Sequence, residues 1–594
     1  MTAQIKPSIK TNRMLGLKAI GMGYALPQWR WYLLGIVGLI VTNVITLEIP
    51  QLAKQVVNAI SDATPLLPLV QVTYLIIILG FLLVLIRTIS RVFIFWPGRT
   101  LEAGVKDDVF AHILRIPSSI VSRFGLGDLT SRLSNDVTQL RIFFAFGILQ
   151  ILNVIFMSSF TLVKMASINP VLTILTVSPL VLMLGITRFV SPRLYAATRQ
   201  STEATGRLTN RVTEAFLHVN TIQSACAVEA FVERTRIESQ TIFEANIMTV
   251  WIRNLVFPLM SIMAGLSQFA IIWWGGREVI AGRFSIGDLM AFTIYVGILI
   301  FPFTSIGLIL AIYQRAKPAA ERIAEIAACS QETENQTAEV QLSSSNISRE
   351  AGKTLIEISN LSFEFVPGRP VLSHISGFIR RGSKVGIYGS IGSGKSTLFD
   401  LLTKLYEVER GHLFFDGIDY VDMSPGDVRS RISYAQQTPL LFSDSIEQNL
   451  LLGFEDGEVS HDELRLAAQR AQILDEIESF PEKWKTLVGE GGVRLSGGQK
   501  QRLALARLFL RRSELVMLDD VLSAVDHTTE RKMIESLAST NATLLIASHR
   551  SSILDICDEI WVLEGGRITE KGPFSKLKHL IDARQNSMDT GGVV

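Results

Sequence analysis

The residues with the clearest chemical capacity form the run Gly389-Ser390-Ile391-Gly392-Ser393-Gly394-Lys395-Ser396. Its glycines free backbone N–H groups to wrap phosphate oxygens at the start of a helix. Lys395 is placed to neutralise β- and γ-phosphate oxygens, and Ser396 to ligate Mg²⁺. The run matches G-x-x-x-x-G-K-S in full. It lies between the strand-like Lys384-Val385-Gly386-Ile387-Tyr388 and an apolar helical stretch at 397–405, the context such a loop requires. Gly389, Gly392, Ser393, Gly394, Lys395, Ser396 and Thr397 are therefore the expected cradle for a nucleoside triphosphate.

Many nucleotide hydrolases carry such a loop; a second stretch narrows the field. Leu495-Ser496-Gly497-Gly498-Gln499 opens a helix, with Gln499 three residues after Ser496 as a capping pair, and its glycines let another backbone approach closely. The apolar run Leu515-Val516-Met517-Leu518 follows, then Asp519 and Asp520, then Ser523-Ala524-Val525-Asp526, and finally Ser548-His549. This order resembles the ATPase domain of ABC proteins. The resemblance implies that Ser496, Gly497, Gly498 and Gln499 cap the γ-phosphate of an ATP held by the opposite subunit. It further implies that Gln437, in Tyr434-Ala435-Gln436-Gln437, senses Mg²⁺ and couples to the membrane helices. Asp519 would hold Mg²⁺ through water, Asp526 would form the D-loop, and His549 would contact the γ-phosphate. Phe365 stands where the family usually stacks a tyrosine on adenine, and a phenyl ring keeps the π face.

The elements that must position this machinery begin in a membrane. Of the 594 residues, 48% are hydrophobic and 19% charged, against the ~25% charged of soluble domains. The apolar excess is concentrated in the first half, with expected spans at 31–49, 69–86, 147–167, 171–190, 255–274 and 289–313. Short connections follow the first, third and fifth; long polar ones, 87–146 and 191–254, follow the second and fourth. Their arginine excess places them in the cytoplasm, as helices extended beyond the bilayer with a turn at each tip. Lys6, Lys10, Arg13 and Lys18 precede the first span without a signal-peptide pattern, favouring a cytoplasmic start, and 14–26 is patterned as an interfacial elbow. A net charge of +2 argues against a nucleic-acid platform, and Cys226, Cys329 and Cys557 are too scattered for a metal site.

Phe124-Gly125-Leu126-Gly127-Asp128-Leu129-Thr130-Ser131-Arg132-Leu133-Ser134-Asn135-Asp136-Val137 is similar to the first intracellular loop of ABC exporters. Gly287-Asp288-Leu289, Gln314-Arg315-Ala316 and Glu321-Arg322-Ile323 are also similar to that family. By this resemblance coupling helices fall near 117–124 and 214–221, the second touching the partner's nucleotide domain. Glu48 and Lys164 lie toward the outer ends of their spans, within snorkelling reach of the interface. Phe156, Phe160, Met260, Met263, Phe292 and Phe301 are candidates for an apolar cavity.

The departures carry information. After Asp519 the family places a glutamate that polarises the attacking water; here Asp520 is one methylene shorter. Retraction by about an ångström costs on the order of 10²-fold in rate, so this site is expected to hydrolyse ATP poorly. In Val488-Gly489-Glu490-Gly491-Gly492, Leu487 and Gly491 replace two usually charged positions, whereas Glu490 remains. With Asp520 beside an intact signature, the chain resembles the MdlA-like half of bacterial two-gene multidrug exporters.

The expected architecture is an all-α six-helix transmembrane domain with long cytoplasmic extensions, fused to an α/β P-loop ABC ATPase domain with a helical subdomain. Residues 1–30 form the N-terminal segment and elbow, 31–325 the transmembrane domain, 326–353 a linker, and 354–594 the nucleotide-binding domain. Function follows as one half of an ATP- and Mg²⁺-dependent exporter of amphipathic drugs or lipids in the cytoplasmic membrane, paired with a different half and surrounded by lipid. Lipid flippases and siderophore importers share the architecture, and an ATP-gated pore or regulatory ATP-binding subunit is the rival class.

Overall fold

The computed structural model describes residues 16–61, 66–329, 353–455, 457–489, 492, 494–511, 513–522, 526–540 and 542–590. The expected linker core, Glu490, Gly491 and Ser523-Ala524-Val525 lie outside the described residues, as do Lys6, Lys10 and Arg13. The chain divides into two compact units, Met1–Leu114 with Phe124–Cys329 and Arg115–Arg123 with Ser330–Val594.

The first unit is helical. Its long members are α1 (Trp29–Ser61), α2 (Leu66–Ile113), α3 (Leu126–Ile168, with π turns at Arg132–Asp136 and Phe143–Gly147), α4 (Pro170–Leu217), α5 (Val228–Ala270) and α6 (Ile286–Ala328). Helices of 43 to 48 residues rise roughly 65 Å, about twice the apolar thickness of a bilayer. Their excess length is the arginine-rich extension expected between spans. Tyr74, Phe81 and Val84 of α2 face outward, as lipid-facing side chains do. Among the described residues five helical runs are long and apolar enough to cross a membrane. The expected span at 255–274 lies on α5, which runs helically through it into a π turn at Ile271–Gly275.

The elbow is broken into Leu17–Ile20, a π turn at Gly21–Ala25 and a 3₁₀ turn at Leu26–Gln28, tied down where the Tyr24 hydroxyl donates to Asp108. Short helices at the loop tips occupy Ser118–Phe124 and Val219–Ser224; the second begins five residues later than expected because α4 stays helical to Leu217. The buried Arg132 guanidinium donates to Asp128 (2.8 Å), Glu325 (2.8 Å) and the Arg322 carbonyl (2.6 Å), while Arg322 pairs with Asp128 at 2.6 Å. The first loop and the end of α6 are thus tied by one ionic cluster. Glu48 and Lys164 pair with each other at 2.8 Å. Of the residues proposed to line a membrane cavity, Phe292 is instead fully buried against Leu47 and Tyr295, and Phe156 and Phe160 stack on one another. Phe301 does line one.

The second unit holds two sheets. An antiparallel sheet of β1 (Thr354–Val366), β2 (Arg369–Arg380), β4 (Leu413–Phe415) and β5 (Ile418–Asp419) is ordered β2-β1-β4-β5. The larger is ordered β10-β9-β3-β8-β7-β6, from β3 (Lys384–Tyr388), β6 (Ile432–Ala435), β7 (Leu515–Asp519), β8 (Thr543–Ser548), β9 (Glu559–Glu564) and β10 (Arg567–Gly572). Every pair in it is parallel except β10 with β9. All five residues of β7 and all six of β8 are buried, which explains why these strands read as unbroken apolar runs.

Candidate nucleotide site

Strand register creates the site. Parallel pairing sets Asp519 opposite Ala547 and Tyr388 opposite Ser548, so the ends of β3, β7 and β8 arrive together. The phosphate loop leaves β3 and enters helix α7 (Lys395–Leu402) through Gly394 at φ 105°, a left-handed conformation suited to glycine. At Gly389 a Cβ atom would stand 2.5 Å from the Leu563 carbonyl oxygen and 2.6 Å from Ser393 Oγ, so only glycine fits.

One cleft is lined by Gly389, Gly392, Gly394, Lys395, Ser396, Thr397, Gln437, Asp519, Asp520 and His549. Ser393 is buried beside it. Lys395 Nζ donates to the carbonyls of Gly389 (2.8 Å) and Ser390 (2.9 Å). Burial lowers its pKa, against the pull of Asp519 and Asp520. Ser396 Oγ donates to Asp519 Oδ2 at 2.6 Å, and the Tyr434 hydroxyl approaches the same oxygen at 3.4 Å. Burial raises the Asp519 pKa, and the Ser396 hydrogen bond opposes the rise. This donor set is all hard oxygen and has too few ligands for a closed cage. It suits Mg²⁺, which keeps waters and substrate phosphates in its shell.

Asp520 sits at φ 48° with its N–H bonded to the Ala547 carbonyl at 2.9 Å. Its Oδ2 lies 3.2 Å from His549 Nδ1, and its Oδ1 accepts from Ser548 Oγ at 3.4 Å. A carboxylate and an imidazole thus meet beside the phosphate loop, able to orient a hydroxyl or water and to hold a proton.

The remaining expected residues lie elsewhere. Phe365 is on β1, half exposed, its ring edge-on to Phe363 (5.0 Å) and Tyr406 (5.2 Å). Ser496 caps helix α8 (Gly497–Leu510): its hydroxyl accepts from Gln499 N at 3.2 Å, and Gln499 Oε1 accepts from Ser496 N at 2.8 Å. Gln499 is further fixed by donating to Glu476 at 2.8 Å. Ser496 and Gly497 are exposed and do not line the cleft. Asp526 caps helix α9 (His527–Ala538), accepting from Thr529 N at 3.1 Å and from the Thr528 hydroxyl, bonds that hold its carboxyl well below the usual range.

Sequence reasoning missed the brace of the loop at 442–449. Asn449, 1% exposed, accepts from Phe442 N at 2.8 Å and donates to the carbonyls of Phe442 and Ser445, each at 3.0 Å. Arg507 on α8 donates to the Asn449 carbonyl at 2.8 Å. The available signal was a basic residue within an otherwise apolar helical face, Leu503 to Leu508.

Comparison with known proteins follows this division. Residues 32–303 match the family model for the ABC transporter transmembrane region, and residues 372–523 match that for the ABC transporter ATPase, described simply as ABC transporter. A probable multidrug resistance ABC transporter ATP-binding/permease protein, YheI of Bacillus subtilis, is 28% identical, covering 94% of this chain and 95% of its own. The multidrug resistance-like ATP-binding protein MdlA of Escherichia coli is 27% identical, with 92% of each chain covered. An ATP-dependent lipid A-core flippase of Thiobacillus denitrificans is 29% identical, covering 94% and 95%. In fold the chain is similar to a bacterial Atm1-family ABC exporter with ATP bound, at a TM-score of 0.77, 22% identity, and coverage of 94% and 98%. The chain belongs to the ABC transporters, as an exporter-type half that joins one multi-span membrane domain to one cytoplasmic ATPase domain.

Proposed function

We propose that this chain is one half of a heterodimeric exporter of amphipathic compounds, drugs or lipids, with a slow ATP site of its own. The observation that carries the reading is a separation within one ATPase unit. Lys395, Ser396, Asp519, Asp520 and His549 share a cleft, while none of Ser496–Gln499 lines it and Ser496 and Gly497 are exposed. A signature that does not reach its own cleft is free to complete another chain's.

In this reading the phosphate loop and Lys395 hold the triphosphate, and Ser396, Asp519 and Gln437 hold Mg²⁺. That ion, when bound, neutralises charge on the β- and γ-phosphates. His549 fixes the γ-phosphate, while Asp520 orients water from too far back. Phe365 would stack on adenine, and Asp526 would position α9 at the dimer interface. The relatives' names, two of multidrug resistance type and one a lipid flippase, support an amphipathic cargo. Closure of two ATPase domains on ATP would turn the cavity outward, and hydrolysis at the partner-owned site would reset it.

The test is Ser496→Arg in the assembled pair. An arginine at the capping position removes the hydroxyl acceptor and fills the space meant for a γ-phosphate. Steady-state hydrolysis is expected to fall by at least about 10²-fold, on the scale of a lost transition-state contact. Unchanged turnover refutes the shared-site arrangement.

A further inference from the structure

We propose that the membrane unit carries a binding site for the anionic head of an amphiphile, built on Arg87 and Arg91. Both line a cavity of about 390 Å³ between α1, α2, α3 and α6, within the size range of small-molecule pockets, roughly 300–1,000 Å³. The two arginines stand one helical turn apart on α2, a spacing at which like charges repel. Among the described residues neither forms an ion pair, and Arg87 reaches only the Thr46 hydroxyl, at 3.5 Å.

Several other basic residues of this unit have counter-charges. Lys164 pairs with Glu48, Lys54 with Asp288 at 2.5 Å, and Arg132 with Asp128 and Glu325. A guanidinium without a counter-charge beside an apolar wall is costly, and such residues face a partner or a water-filled path.

A second observation is independent of charge. Asn43 of α1, 2% exposed, lines the same cavity, and its Nδ2 finds no acceptor among the described residues. Guanidinium groups donate and do not accept, and the unpartnered atom of Asn43 is also a donor. Gln150 and Asn153 line the cavity with neutral amides, and no carboxylate does, so the two guanidiniums and the unpartnered amide donor specify a ligand that brings anionic oxygens, such as a phosphate or carboxylate. Met157 and Phe301 supply apolar wall beside them, which an alkyl tail would cover and a bare inorganic anion would not. The inference rests on the proposed export of amphipathic compounds and specifies the sign of their head group.

The experiment is equilibrium binding to the full-length chain in nanodiscs of zwitterionic lipid, with dodecyl phosphate, dodecyltrimethylammonium and inorganic phosphate as probes. Dodecyl phosphate is expected to bind at least about tenfold more tightly than the cation. Arg87→Gln with Arg91→Gln should weaken it by about tenfold or more, the scale of one or two charge-assisted hydrogen bonds. Arg87→Lys with Arg91→Lys, which keeps the charge, should retain most of the affinity. Inorganic phosphate should fail to displace the dodecyl ester.

Equal affinity for the two dodecyl probes overturns the proposal, as does a double glutamine variant that binds dodecyl phosphate like the parent. Inorganic phosphate binding as well as the ester also overturns it, because the site would then read the anion alone. Failure of the export reading looks different: anion-selective binding would persist while ATP drives no probe into inverted vesicles of the assembled pair.

Discussion

Asp520→Glu tests the claim that a missing methylene slows the ATP site. The carboxylate is tethered at its base, since the Asp520 N–H bonds the Ala547 carbonyl at 2.9 Å, and the head lies 3.2 Å from His549. With the backbone fixed, one added methylene advances the carboxylate by about 1 Å into the cleft, and an error of that size costs on the order of 10²-fold. Full recovery therefore corresponds to about 2.7 kcal/mol of barrier at ~1.36 kcal/mol per tenfold. Part of the gain is offset at φ 48°, where aspartate is tolerated better than glutamate at a cost below ~1 kcal/mol. A rise of roughly 10- to 100-fold is expected.

The assay must isolate one site. Single-turnover hydrolysis is measured in the assembled pair with the partner's own catalytic carboxylate neutralised, so that product arises at this chain's cleft. A rise confined to burst rate, with nucleotide affinity unchanged, is the expected signature of a repositioned base. A rate within about twofold of the parent refutes the methylene account, because 1 Å of reach would then be worth less than ~0.4 kcal/mol.

Three further outcomes are expected. Asn449→Ala strips partners from Phe442 N–H and from two carbonyls; the loss of about 2 kcal/mol should lower the ATPase melting transition by roughly 4–8 °C in the full-length chain, by calorimetry. The exposed Cys226 should take up maleimide at pH 8 in the native protein, whereas the buried Cys557, its thiol pushed up to about 12 by burial, should label only after unfolding. Because the unfolded thiol ionises nearer its ordinary value of 9.0, this group's contribution is intact below pH 9 and is lost as pH rises toward 12. Arg132→Ala should destabilise the membrane unit by about 1–2 kcal/mol, the scale of lost charge-assisted hydrogen bonds, because Glu325 is largely exposed and Asp128 keeps Arg322; a double-mutant cycle with Glu325→Ala that proves additive would show the pair to be uncoupled.

What the sequence discloses depends on whether a signal is local. The phosphate loop is legible because its glycines, lysine and serine fall within eight residues, between a strand and a helix whose patterns differ. The capping box at Ser496 and Gln499 is legible for the same reason. The meeting of Asp520 with His549 depends on parallel registers of β7 and β8, which no short stretch encodes. Arg132 and Arg322 were each visible in their own motifs, yet their common partner Asp128 joins segments nearly two hundred positions apart. In the spans, helices apolar on every side conceal which face turns inward. Phe292 and Phe301 therefore read alike in sequence, although one is core and the other lines a cavity.

Two polar features of the membrane unit need opposite explanations, and the contrast constrains the transport path. Glu48 and Lys164 neutralise one another, so their charge is satisfied inside the chain and carries no demand for a ligand. Arg87 and Arg91 find no such neutralisation among the described residues and face a cavity rather than a helix interface. What sets these two apart is the shared cavity and the unpartnered Asn43 amide beside them, which the proposed anionic ligand would satisfy. The same logic applies to the ATPase unit. Ser496 and Gln499 satisfy one another's backbone and side-chain groups, so the turn is rigid before any nucleotide arrives. A preformed clasp that does not reach its own cleft is suited to a second chain's nucleotide, and in the proposed pairing the carboxylate at 520 would decide which of the two shared sites turns over first.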